Sequence, residues 1–101
     1  MSDANDRRAR IESRLREALV AQHVEVEDES HLHAGHAGAA SGGGHFRAVI
    51  VSERFEGQLR LARQRTVYAA LADEMGTEIH ALSMQTLTPK EWEAQRSARS
   101  L

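Results

Sequence analysis

The sequence predicts an α+β fold in two layers: a three-stranded sheet with helices packed on one face, in the order α-β-β-(turn)-α-β-α. Two observations predict it. Three segments repeat apolar residues near the 3.6-residue period of a helix, and three shorter ones alternate apolar with polar residues or run almost continuously apolar, as strands do. At 101 residues the chain is long enough for one small core and too short for two.

Over residues 6–21, Ile11, Leu15, Ala18 and Leu19 recur at helical spacing among Arg, Glu and Ser, the mark of a helix with one buried stripe. Val24 and Val26 then alternate with Glu25 and Glu27 in a short strand ending at Asp28. Residues 46–51, Phe-Arg-Ala-Val-Ile-Val, suit a central strand. Residues 52–57 read as a helical turn stopped by Gly57, with Phe55 facing inward. A longer helix is expected over 59–75, placing Leu59, Ala62, Thr66, Val67, Ala70, Leu71 and Met75 on its inner face and ending at Gly76. In a strand over 78–87, simple alternation puts His80, Leu82 and Met84 on one face and Ile79, Ala81 and Ser83 on the other. Thr88-Pro89-Lys90-Glu91 has the form of a capping box with proline at the first helical position, opening a short helix anchored by Trp92. The domain spans 6–96, with 1–5 and 97–101 expected to be disordered.

The histidines carry the chemical signal. The chain has no cysteine, and four of its six histidines, His31, His33, His36 and His45, lie in or beside a glycine-rich loop over residues 29–44. A loop of that length is functional or disordered more often than not. Imidazole ligates transition metals and titrates near neutrality, so the loop points to metal binding or proton sensing. A solvated tract with loose affinity for several divalent ions is the plain alternative. For His80, spacing alone favours a half-buried core histidine on an apolar face over a ligand.

Other classes are disfavoured. Thirteen Lys+Arg against fifteen Asp+Glu give a net charge of -2, so nucleic-acid contact would need a local patch, for which Arg60, Arg63 and Arg65 are the candidates. Their bland reading is a solvated helix face. No run approaches the ~20 apolar residues of a membrane span, and the N-terminus lacks a signal-peptide core, so a cytoplasmic protein is expected. No nucleophile elbow, phosphate loop or supported carboxylate pair marks an enzyme.

Taken in order, Val24 to Ser30 followed by His33, then His45-Phe46, Val51-Ser52 with Phe55-Glu56-Gly57, Arg63-Gln64-Arg65-Thr66-Val67-Tyr68, Ile79-His80-Ala81-Leu82 and Thr88 to Trp92 resemble the BolA family over nearly the whole chain. The resemblance implies a fold like class II K-homology domains. It also implies a monothiol glutaredoxin partner with which a [2Fe-2S] cluster is shared, and, in some bacterial members, DNA binding as a transcriptional regulator. By that resemblance His80 is one cluster ligand, His33 in the loop is the second, and a glutaredoxin cysteine and glutathione supply the rest; His45, better fixed than the loop centre by its place at the start of the second strand, is held in reserve. A thiol-free chain offers only the imidazole half of such a centre, as in Rieske sites. Acid, which protonates imidazole, should weaken binding. Two departures stand out. Gln64 replaces a histidine the family usually carries between two arginines, and Phe55-Glu56-Gly57-Gln58 lacks the GxxG clamp of RNA-binding K-homology domains.

Overall fold

The computed structural model describes residues 3–30 and 44–100. Its elements are α1 (Asp3–Leu19), β1 (His23–Asp28), β2 (Gly44–Val51), a single 3-10 turn (Glu53–Phe55), α2 (Arg60–Ala70), β3 (Ile79–Leu87) and α3 (Pro89–Ser100). The α+β class and the expected element order hold. The sheet is mixed, in the order β1-β2-β3: β1 pairs antiparallel with β2, and β3 pairs parallel to it. Two consecutive strands can run antiparallel through a loop, whereas the parallel pair needs a crossover, which α2 supplies.

The core lies between the sheet and the pair α1 and α2. Ile11, Leu15 and Leu19 come from α1, Val24 and Val26 from β1, Phe46, Ala48 and Ile50 from β2, and Val67 from α2, all buried. Ala18, expected in the α1 stripe, is exposed. Helix α3 sits elsewhere. Its Trp92 stacks on His23 of β1 with ring centroids 4.8 Å apart, and Gln95 Oε1 accepts a hydrogen bond from Gln85 Nε2 at 2.7 Å. The capping box forms as the sequence predicts: the Thr88 amide donates to Glu91 Oε1 at 2.9 Å, and the Glu91 amide to Thr88 Oγ1 at 3.2 Å.

Several element boundaries differ. Helix α1 starts at Asp3 and α3 continues to Ser100, so residues 3–5 and 97–100 are helical where disordered ends were expected. Helix α2 stops at Ala70 instead of Met75. Beyond it the chain folds in successive turns. The Leu71 carbonyl takes the amides of Glu74 and Met75, the Glu74 carbonyl takes those of Thr77 and Ile79, and Gly76 makes the reversal at φ +83°. Arg14 of α1 bonds Glu74 at 3.0 Å and fixes this segment to the first helix. Leu59, assigned to the inner face, lies one residue before α2 and is 82% exposed.

A further correction concerns β3. Gly44 pairs with Ile79 but His45 with Ala81, so one extra residue, His80, is inserted in β3 at the start of the ladder. A bulge resets the alternation of faces. Ile79 is therefore buried in the core together with the half-buried Leu82 and Met84, and His80 turns outward, away from the apolar neighbours that simple parity gave it.

Candidate functional site

The bulge brings His80 beside His45. Their ring centroids are 5.3 Å apart at an interplanar angle of 54°, with His80 exposed and His45 half-buried. Both side chains project from backbone that is held on several sides. The His45 amide donates to Ser30 Oγ at 3.0 Å, the His45 carbonyl accepts from the Glu29 amide at 2.7 Å, and the Ser30 amide donates to Asp28 Oδ1 at 2.9 Å. These bonds close the neck of the 29–44 loop directly behind the imidazole.

On the β3 side, the Glu78 carbonyl accepts from the Gly44 amide at 3.0 Å and from Arg7 Nη1 at 3.5 Å, while the Glu78 carboxylate pairs with Arg10 of α1. Gly44 is required at this crossing. A Cβ there would stand 2.4 Å from Cε2 and 2.9 Å from Cζ of the buried Phe46 ring, distances that side chains do not tolerate. Glycine leaves room there for the Phe46 ring and, 3.2 Å from the same point, for Ser30 Oγ at the neck of the loop.

The chemistry of this donor set suits a metal. Two imidazoles sharing one ion at nitrogen–metal distances of about 2.0–2.1 Å hold their ring centres about 5 Å apart, close to the observed spacing. Among the described residues no group of three or more His, Cys, Asp or Glu is placed to hold an ion, so the pair is half of a ligand set at most. Of the expected ligands, His80 and His45 come together; His33, with His31 and His36, lies outside the described residues. Sequence parity missed the meeting of His45 and His80, because only the register reveals the bulge.

The three candidate arginines separate. Arg60 and Arg65 are exposed. Arg63 is not available to a ligand: only 13% of its side chain is exposed, and its guanidinium donates to the Gln58 carbonyl (2.8 Å), the Thr86 carbonyl (3.0 Å) and both Glu91 carboxylate oxygens (2.7 and 3.3 Å). It is a tie between α2, β3 and α3. The Arg63 hydrogen bond, reinforced by the Thr88 amide, holds the Glu91 carboxyl below the ordinary carboxylate range. Among the described residues no helix is long and apolar enough to cross a membrane.

Comparison with known proteins gives this geometry a context. A family model described as BolA-like protein matches residues 15–91. The chain is 48% identical over 86 residues to the DNA-binding transcriptional regulator BolA of Escherichia coli (strain K12), covering 85% of this chain and 79% of that protein. It is 45% identical over 84 residues to human BolA-like protein 1, covering 83% of this chain; it spans only 59% of the human protein's length. Among solved structures it resembles the BolA domain of SufE1 from Arabidopsis thaliana, with TM-score 0.74, 38% identity, and 90% of this chain and 98% of that chain covered. It also resembles mouse BolA1, with TM-score 0.76, 38% identity, and 95% and 76% covered.

Proposed function

The chain belongs to the BolA family, and from that membership we propose that it is an adaptor for iron–sulfur trafficking or iron sensing that partners a monothiol glutaredoxin and contributes imidazole to a shared [2Fe-2S] cluster. The observation that carries the reading is the His45–His80 pair, an exposed and a half-buried imidazole 5.3 Å apart on braced backbone. A [2Fe-2S] centre takes four protein-side donors, and histidines serve on one of its irons in Rieske centres. His80 supplies one of them. His33 or His45 supplies the second, and a glutaredoxin cysteine with glutathione supplies the sulfur side. The cluster brings redox and iron-donor chemistry; this chain orients its ligands and presents them at an open surface.

The test is to mix the purified protein with cluster-loaded monothiol glutaredoxin under anaerobic conditions and follow the visible spectrum. A change on mixing that disappears with His80→Ala is expected, and separate His33→Ala and His45→Ala variants identify the second ligand. No change on mixing, or an unaltered change with His80→Ala, refutes the reading.

The name of the E. coli relative and the exposure of Arg60 and Arg65 favour a second reading, DNA binding by the start of α2. Phosphate neutralisation makes affinity fall steeply with salt. A duplex titration in which Arg65→Ala lowers the magnitude of the log–log slope by about one supports it. A flat slope in the parent protein removes it.

A further inference from the structure

The two edges of the sheet are built differently. Strand β1, His-Val-Glu-Val-Glu-Asp, carries three acidic side chains, one of the usual protections of an edge against pairing. Strand β3, Ile-His-Ala-Leu-Ser-Met-Gln-Thr-Leu, is longer and has no Lys, Arg, Asp, Glu or Pro. Its bulge lies at one end only, leaving residues 81–87 in regular register. In the order β1-β2-β3 the outer side of this strand has no neighbouring strand among the described residues.

The backbone there is directed outward. Leu87 turns its carbonyl to β2, where it accepts from the Ser52 amide at 2.9 Å, whereas the Thr86 carbonyl faces Arg63. Alternation then points the amides and carbonyls of Leu82 and Met84 away from β2. The core layer is also unfinished on this side: Phe46 and Ala48 of β2 are 2% and 1% exposed, but their register partners Leu82 and Met84 are only half-buried.

A groove of about 700 Å³ runs along this edge between the start of α2 and α3. Leu59, the most exposed of the large apolar residues described, stands on its wall. Three charged residues line it. Arg63 and Glu91 neutralise each other, and Arg60, with no ion pair among the described residues, leaves the groove one positive charge in excess.

We propose that the β3 edge receives an extended segment of a partner protein, alternately apolar and acidic, as a fourth strand. Backbone pairing at Leu82 and Met84 supplies affinity, an apolar side chain covers Met84 beside Leu59, and a carboxylate meets Arg60. The inference is independent of any cluster, since it uses neither His45 nor His80.

Amide hydrogen exchange by NMR tests it, using the full chain and a capped octapeptide of alternating Val and Glu. At about 1 mM peptide the Leu82 and Met84 amides should exchange about threefold more slowly, while the β1 edge is unaffected. An octapeptide of alternating Val and Lys should protect them less, and Arg60→Glu, an exposed change, should reverse that order. Unchanged exchange at Leu82 and Met84 overturns the proposal. So does protection by a single-stranded oligonucleotide in place of the peptide, or protection that rises with protein concentration alone, which would assign the edge to a second copy.

Discussion

Replacing Arg63 by alanine should destabilise the domain by about 2–3 kcal/mol. The side chain is 13% exposed and donates to two backbone carbonyls, of Gln58 and Thr86, whose loss costs about 1 kcal/mol each. Its pairing with Glu91 adds at most about 1 kcal/mol, because the carboxylate is 46% exposed. Its guanidinium carbon also lies 5.9 Å from the centre of the buried Phe55 ring, so some packing is lost as well. Urea unfolding followed by far-UV circular dichroism should show a lower midpoint at unchanged slope, and thermal unfolding a fall of about 10–15 °C. Arg63→Lys should recover less than half, since an ammonium cannot reproduce the planar fork that spans three elements. A variant within about 0.5 kcal/mol of the parent, or full recovery with lysine, would refute this account of Arg63.

Other expectations follow from single sites. Glu91→Gln keeps the cap acceptor for Thr88 but removes the charge facing Arg63; because the Glu91 folded-state pKa is depressed, its contribution is present at neutral pH and lost as pH falls through that lowered value. The difference in urea midpoint between parent and Glu91→Gln should therefore be seen at pH 7 and vanish in strong acid. Val20 ends α1 at φ +47° and is 64% exposed, so Val20→Gly should raise stability by about 1 kcal/mol in the same assay. Gly44→Ala forces a methyl into the Phe46 ring and should cost about 2–3 kcal/mol, with NMR shifts concentrated at His45 and His80.

Local grammar carried much of the fold. The capping box at Thr88, the inward Phe55, the α1 stripe through Ile11, Leu15 and Leu19 and the central character of β2 are all set by near neighbours in the chain, so they could be read from it. What sequence could not supply were pairings across long separations. The insertion of His80 depends on how β2 meets β3, and a one-residue shift reversed the face assigned to Ile79 and His80. Arg63 looked like a free cation because its partners at Thr86 and Glu91 are distant in sequence. The helix expected to reach Met75 ends at Ala70, and Glu74 in the turns beyond it pairs with Arg14, which is distant in sequence. His80 is exposed, and the resemblance to a family, not parity, pointed there.

The contact of Trp92 with His23 joins the first strand to the last helix, and it involves the chain's one tryptophan. Intrinsic emission from this protein therefore reports the seam between the two ends of the polypeptide and is blind to the interior under α1. If fluorescence and circular dichroism trace the same melting curve, the terminal helix separates only when everything else does; if emission changes first, α3 is a unit that detaches from an otherwise intact sheet.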